Sequence, residues 1–362
     1  MDVPLELSGD TRSRKEIDSM VQTKLTEHAG IENPIICGAM YPCSNPELVA
    51  AASEGGGIAI IQPVSLTMVH GFNKPNLDEG LRASIRHIRS LTDRPIGFNA
   101  LIEKGSQKYI DRMTAWIDVA LEEGVRFFVT SLGKPDWVCE RVHAVGGHVY
   151  HDVTDRGWAE KGLACGVDGL ICVNNRAGGH LGELSMEEMY DQLHDLGVPL
   201  ICAGGIGSEH ELNQALELGY AGVQMGTRFI ATTECSTPDD YKQAIVDAKQ
   251  DDITWTSRIS GVPIAVINSD GVRQQNSWLM RKLLQGRFRH KARMMLNLIS
   301  MWRIRAFARG KKTSSKELWS AGKSVETIDS VESATEIMRR LGASLDANPR
   351  LSGDRAPVDT LV

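Results

Sequence analysis

The quartet Ala177-Gly178-Gly179-His180 stands just beyond the apolar run Gly169-Leu170-Ile171-Cys172-Val173. Two glycines let backbone close on a ligand with no Cβ in the way, and histidine is the side chain best suited to moving a proton near neutral pH. His180 is therefore the candidate catalytic residue. Two later apolar runs end in a similar way. Pro199-Leu200-Ile201-Cys202-Ala203 leads into Gly204-Gly205-Ile206-Gly207-Ser208, and Gly222-Val223-Gln224-Met225 leads into Gly226-Thr227-Arg228-Phe229. Exposed backbone N–H groups at strand ends and helix starts suit a phosphate. Arg176, just before the quartet, adds positive charge that would attract an anion or else sits as a solvated loop residue.

The elements that must position these residues follow from the apolar pattern. Short β-branched runs at 34–37, 57–62, 95–99, 126–130, 148–152, 169–173, 199–203 and 222–225 alternate with helical patterns of ten or so residues. Eight strands, each followed by a helix, predict an α/β fold of the (βα)8 TIM barrel type. An open doubly wound sheet is the structural rival. The barrel is preferred because the glycine turns cluster late in the series, where barrel phosphate sites lie. Glycines between helix and strand, as in Glu123-Gly124-Val125 and Leu196-Gly197-Val198, read as helix C-caps. In this frame His151 closes the fifth strand as a second candidate donor, with a satisfied barrel histidine as its alternative reading. Ser131, placed after the fourth strand, offers an extra donor.

Residues 1–252 are read as the barrel and 253–347 as a mainly helical C-terminal extension packed on it, with 348–362 a frayed tail. A dense basic run between Arg281 and Lys312 alternates with Leu, Met, Ile and Trp. It reads first as amphipathic helices with a solvated basic face, and second as a landing surface for an acidic partner or a membrane surface. The chain of 362 residues carries a formal charge of −6, which gives no sign of nucleic-acid binding by the whole molecule. Seven cysteines without paired short spacing argue for reduced thiols rather than a disulfide framework or a zinc site. No metal-ligand spacing, Walker motif or convincing dinucleotide fingerprint is present. No apolar run is long enough to span a bilayer and no signal peptide is read, so a cytoplasmic protein is expected.

Taken together, Pro34-Ile35-Ile36-Cys37-Gly38-Ala39-Met40, Gly97-Phe98-Asn99, the Ala177 quartet, Ala203-Gly204-Gly205-Ile206 and Gln224-Met225-Gly226-Thr227-Arg228-Phe229 resemble the nitronate monooxygenase family, over about residues 30 to 250. The resemblance implies a TIM barrel that binds FMN at its C-terminal face. It implies that Gly38, Ala39 and Met40 line the isoalloxazine ring and that Asn99 hydrogen-bonds its edge. His151 would face its pyrimidine edge. Ala177, Gly178 and Gly179 would let the cofactor pass close to the sixth loop. Ala203, Gly204, Gly205, Gly226 and Thr227 would cradle the phosphate, with Gln224 and Met225 below it, one facing the barrel and one the helices. His180 resembles the family's catalytic histidine. Many members carry a Gln or Glu followed by Gly before the quartet; here Asn174 or Asn175 would have to supply that contact.

The activity implied is oxidation of alkyl nitronates, with nitroalkanes as the wider substrate class, by O2 to a carbonyl compound and nitrite. A nitronate is already deprotonated, so no base is needed to start its oxidation. The FMN-dependent enoyl-acyl-carrier-protein reductases share the motifs and imply an alternative, NAD(P)H-dependent reduction of an enoyl thioester. A third reading is a flavin-binding barrel that serves as a partner-binding module without turnover.

Overall fold

The computed structural model describes residues 21–102, 107–179, 182–256, 264–268 and 319–351. Eight parallel strands form a closed barrel in sequence order. They are β1 (Ile35–Cys37), β2 (Ile58–Ile61), β3 (Ile96–Ile102), β4 (Phe127–Leu132), β5 (His148–Val153), β6 (Gly169–Val173), β7 (Leu200–Ala203) and β8 (Gly222–Met225). Closure is made by β1 pairing with both β2 and β8. The (βα)8 barrel expected from the run of apolar segments is the fold observed.

These segments are strands because both of their faces are apolar and both are covered. Alternate residues point inward to Ile36, Ile60, Phe127, Val129, Tyr150 and Ile171, and outward to a larger core shared with the surrounding helices. The helices begin at polar caps. Ser185 and Ser208 each form a reciprocal capping box with the glutamate three residues on, Glu188 and Glu211. Gly197 follows its helical turn in the left-handed region at φ 70 and turns the chain into β7.

The two ends of the barrel are built differently. A short helix, Lys24–Ala29, closes the N-terminal end by driving Leu25 and Ala29 into the inner core. At the C-terminal end, later parts of the chain cross the loops. A two-stranded antiparallel ribbon, β9 (Ile253–Thr256) and β10 (Ile264–Ile267), meets the β6 loop where Ala265 N–H donates to Gly179 O at 2.9 Å. The chain from Trp319 onward passes over the β6, β7 and β8 loops. It ends in a helix, Ala334–Asp346, packed against helices Pro46–Glu54 and Glu209–Leu218. Arg228 pins this return: its buried guanidinium donates to Ala231 O at 3.0 Å and Ser330 O at 2.8 Å, with Glu332 3.6 Å away. The basic run 281–312 and the tail beyond 351 lie outside the described residues.

Candidate active site

The loops after β1, β6, β7 and β8 come together at the C-terminal mouth. Gly38 donates its N–H to Met225 O at 2.9 Å, and a Cβ added to Gly38 would stand 3.1 Å from the Gln224 side chain. The Met40 thioether lies over Gly226, 3.5 Å from where a Cβ would stand. After β7, Gly204 and Gly205 take φ values of 122 and 78, a left-handed pair that other residues adopt only under strain. Their backbone packs on the β6 loop. Asn174 Nδ2 donates to Gly204 O at 2.9 Å, while Asn174 Oδ1 accepts the Arg176 N–H at 2.8 Å. Arg176 then folds across Gly205, and a Cβ there would fall 2.5 Å from Arg176 Nε, an atom that is buried without a hydrogen-bond partner.

The inward face of the barrel supplies a second set of groups. Asn99 follows the outward-facing Phe98 and so points in, as Ser131 does after the outward Thr130; Ser131 lies inside β4 rather than after it. On β5 the phase is fixed by Tyr150, which belongs to the inner core, and by Val149 and Val153, which belong to the outer one. Asp152 therefore faces the barrel interior, paired in register with the inward Ile171 of β6. Its Oδ1 is sealed from solvent and has no hydrogen-bond partner. Burial pushes this carboxyl up to about 7.

Several expected contacts are corrected by this geometry. His151 is on the opposite face of β5 from Asp152. Its ring packs against Gly162 in helix Arg156–Leu163 and shares a 2.8 Å hydrogen bond with the Thr130 hydroxyl. Burial pushes the imidazole down to about 4, so it is a neutral structural histidine rather than a donor at the mouth. On β8 the expected division holds: Met225 turns its side chain outward into the core beneath the helices, and Gln224 is the inward residue. Asn174 is consumed in tying the β6 and β7 loops together, and Asn175 donates outward to Glu183 O at 3.3 Å.

Gly178 makes room for protein. A Cβ there would stand 2.9 Å from Gly322 N of the returning C-terminal segment. Gly322 in turn donates to Thr227 Oγ1 at 3.0 Å, and Lys323 N–H donates to Arg176 O at 2.9 Å. Ala177 and Ala203 are buried beside these turns, and Ala39 packs against the inner core. His180 lies outside the described residues.

The sequence profile of the nitronate monooxygenase family matches residues 22–343. The chain belongs to the nitronate monooxygenase family. Among individual relatives of this family member, (3aS,4S,5R,7aS)-5-hydroxy-7a-methyl-1-oxo-octahydro-1H-indene-4-carboxyl-CoA dehydrogenase of Mycobacterium tuberculosis is 31% identical over 71% of this chain and 69% of its own. A probable nitronate monooxygenase of Staphylococcus saprophyticus is 25% identical over 71% of this chain and 82% of its own. Among solved structures, FabK from Thermotoga maritima superposes with a TM-score of 0.74 at 27% identity, covering 90% of this chain and 96% of that one. Family and fold together make the chain a flavin-dependent oxidoreductase.

The residues at the mouth fit a flavin phosphate. An anion wants converging donors, backbone that can approach closely and positive charge. The left-handed Gly204-Gly205 pair beside an unpartnered Arg176 Nε meets those needs. Among the described residues no group of His, Cys, Asp and Glu could hold a metal, and no helix is long and apolar enough to cross a membrane.

Proposed function

We propose that this barrel is an FMN-dependent oxidoreductase acting on an acyl thioester, at a carbon made reactive by the neighbouring carbonyl. The similarity that carries the reading is to the carboxyl-CoA dehydrogenase, at higher identity than the relative named for nitronate chemistry. Gly204, Gly205 and Arg176 would hold the FMN phosphate, with Gly226 and Thr227 at its flank. Gly38, Ala39, Met40, Asn99 and Gln224 would border its ring, and Ala177 and Gly179 would line the sixth loop. Bound FMN supplies two-electron exchange with the substrate. The chain's own part is to seat both molecules at the mouth, exclude water and move the proton that accompanies those electrons. His180, directly after the double glycine, would position the substrate or handle that proton.

Oxidation of alkyl nitronates by O2 to a carbonyl compound and nitrite is the second reading, favoured by the family itself. The two differ in what they ask of the site, because a nitronate arrives deprotonated and an acyl thioester does not. The test is anaerobic mixing of the FMN-loaded protein with cyclohexanecarbonyl-CoA, ethylnitronate, NADH and NADPH in turn. Loss of the oxidised flavin band with the thioester supports the first reading. Loss with ethylnitronate alone replaces it with the second. Bleaching by a nucleotide, followed by reoxidation with an enoyl thioester, turns the reaction toward reduction.

A further inference from the structure

Asp152 is the inward-facing carboxylate of β5, and its Oδ1 is left without a hydrogen-bond partner. The register places it beside Ile171 on β6, and one step beyond the Thr130–His151 pair puts Ser131 of β4 on its other side. Its neighbours on the inner face are thus a hydroxyl and an aliphatic chain, and no charged side chain among the described residues bears on it. Outward from the same strand, His151 is satisfied by Thr130 and lies across the sheet from it. Asp152 is also the last inward position of β5 before the chain leaves the sheet at the mouth. The side chain is half-buried with Oδ1 sealed and unpartnered, and desolvation with no compensating hydrogen bond there favours the protonated acid until something at the mouth answers it.

We infer that Asp152 is a catalytic acid–base residue of the mouth, exchanging a proton with the substrate carbon next to the thioester carbonyl. In one direction the electron pair on that carbon forms a C–H bond while the Asp152 O–H bond breaks, and its electron pair stays on the carboxylate. In the other the C–H bond breaks, its electrons remain on the carbon stabilised by the carbonyl, and the carboxylate becomes the acid again. Solvent at the open mouth restores the starting protonation state. A group that titrates near the working pH is suited to both directions. The inference rests on the thioester reading for its substrate, and it assigns proton transfer to a residue that the glycine-and-histidine motifs do not contain.

Two measurements test it. The first needs no substrate: in protein labelled with 13C-aspartate, one carboxyl resonance, absent from Asp152→Asn, should titrate near neutral pH. If every aspartate titrates in the ordinary acidic range, the inference is wrong. The second follows exchange of the α-hydrogen of cyclohexanecarbonyl-CoA with D2O on the FMN-loaded protein. Asp152→Asn should slow exchange by at least about 100-fold while keeping the wild-type flavin spectrum and FMN occupancy. Undiminished exchange in the variant, or none in a wild type whose flavin the thioester reduces, overturns the role of Asp152 and leaves the thioester reading standing. A wild type whose flavin the thioester does not reduce removes both.

Discussion

Two aspartates, at opposite ends of one barrel, receive opposite treatment. Asp168 lies at the closed N-terminal end. It accepts the Val149 N–H at 2.7 Å, pairs with His143 Nε2 at 2.9 Å and stands 3.7 Å from His148 Nδ1. His148 stacks on His28 at 4.1 Å, and His28 Nδ1 meets the Tyr150 hydroxyl at 3.1 Å. Asp152, only four residues from His148 along β5, faces the open end with Oδ1 unpartnered. At the closed end the carboxylate itself is answered by Val149 and His143, although His148 Nδ1 has no hydrogen-bond partner, whereas at the mouth Asp152 Oδ1 and Arg176 Nε have none. In a TIM barrel the first pattern is stability and the second is chemistry.

The sharpest way to break the contrast is to exchange charge for neutrality at each end. Asp152→Asn should lower thioester turnover by about 100-fold or more and at the same time raise stability above neutral pH. The sign follows from the raised carboxyl: the folded state holds the proton longer than the unfolded chain, so wild-type stability falls between the ordinary aspartate range and about 7 and levels off above it. Asparagine removes that decline, and urea unfolding at pH 5 and pH 8 would display it. Asp168→Ala should do the reverse, lowering stability by about 1–3 kcal/mol through the abandoned Val149 N–H and His143, with FMN binding unchanged. His28 adds an opposite slope at that end. Burial first, and then His148, hold its pKa down, so stability should fall as pH drops through the ordinary histidine range, and His28→Phe should flatten the fall.

Smaller effects refine the boundary of the site. Thr227→Val removes the acceptor of the Gly322 N–H and should loosen the returning C-terminal segment by about 1 kcal/mol, read as faster amide exchange at residues 319–325. His151→Asn should change turnover less than about twofold, within the range of substitutions away from the reacting groups. A loss comparable to that of Asp152→Asn would restore His151 to the mouth.

Much of the barrel was legible because each strand is a short apolar run bounded by glycine or proline, and the predicted limits fall within three residues of those observed. The glycine loops were legible for the same reason. The phase of each strand was not. Strands buried on both faces carry no alternation to reveal which side is inward, so the sequence leaves His151 open between the mouth and a satisfied barrel position and does not single out Asp152. A carboxylate within Val149-Tyr150-His151-Asp152-Val153, with no Lys or Arg beside it in the chain, is the available signal. The helix Pro63–Met68 and the ribbon β9–β10 escaped because six- and four-residue elements carry little periodicity. The use of Gly178 to seat Gly322 joins residues far apart in the chain, and no local pattern announces it.

The claim on which the account rests is that the mouth beside Gly205 and Arg176 holds FMN. The direct measurement is a fluorescence titration of FMN with wild type and Gly205→Asp, each stripped of flavin, alongside thermal unfolding of both. The account predicts stoichiometric binding by wild type and FMN affinity at least about tenfold weaker in the variant, one unit of about 1.4 kcal/mol, because Asp brings bulk and negative charge against the phosphate loop while the barrel still unfolds cooperatively. Equal affinity and full occupancy in the folded variant would contradict it.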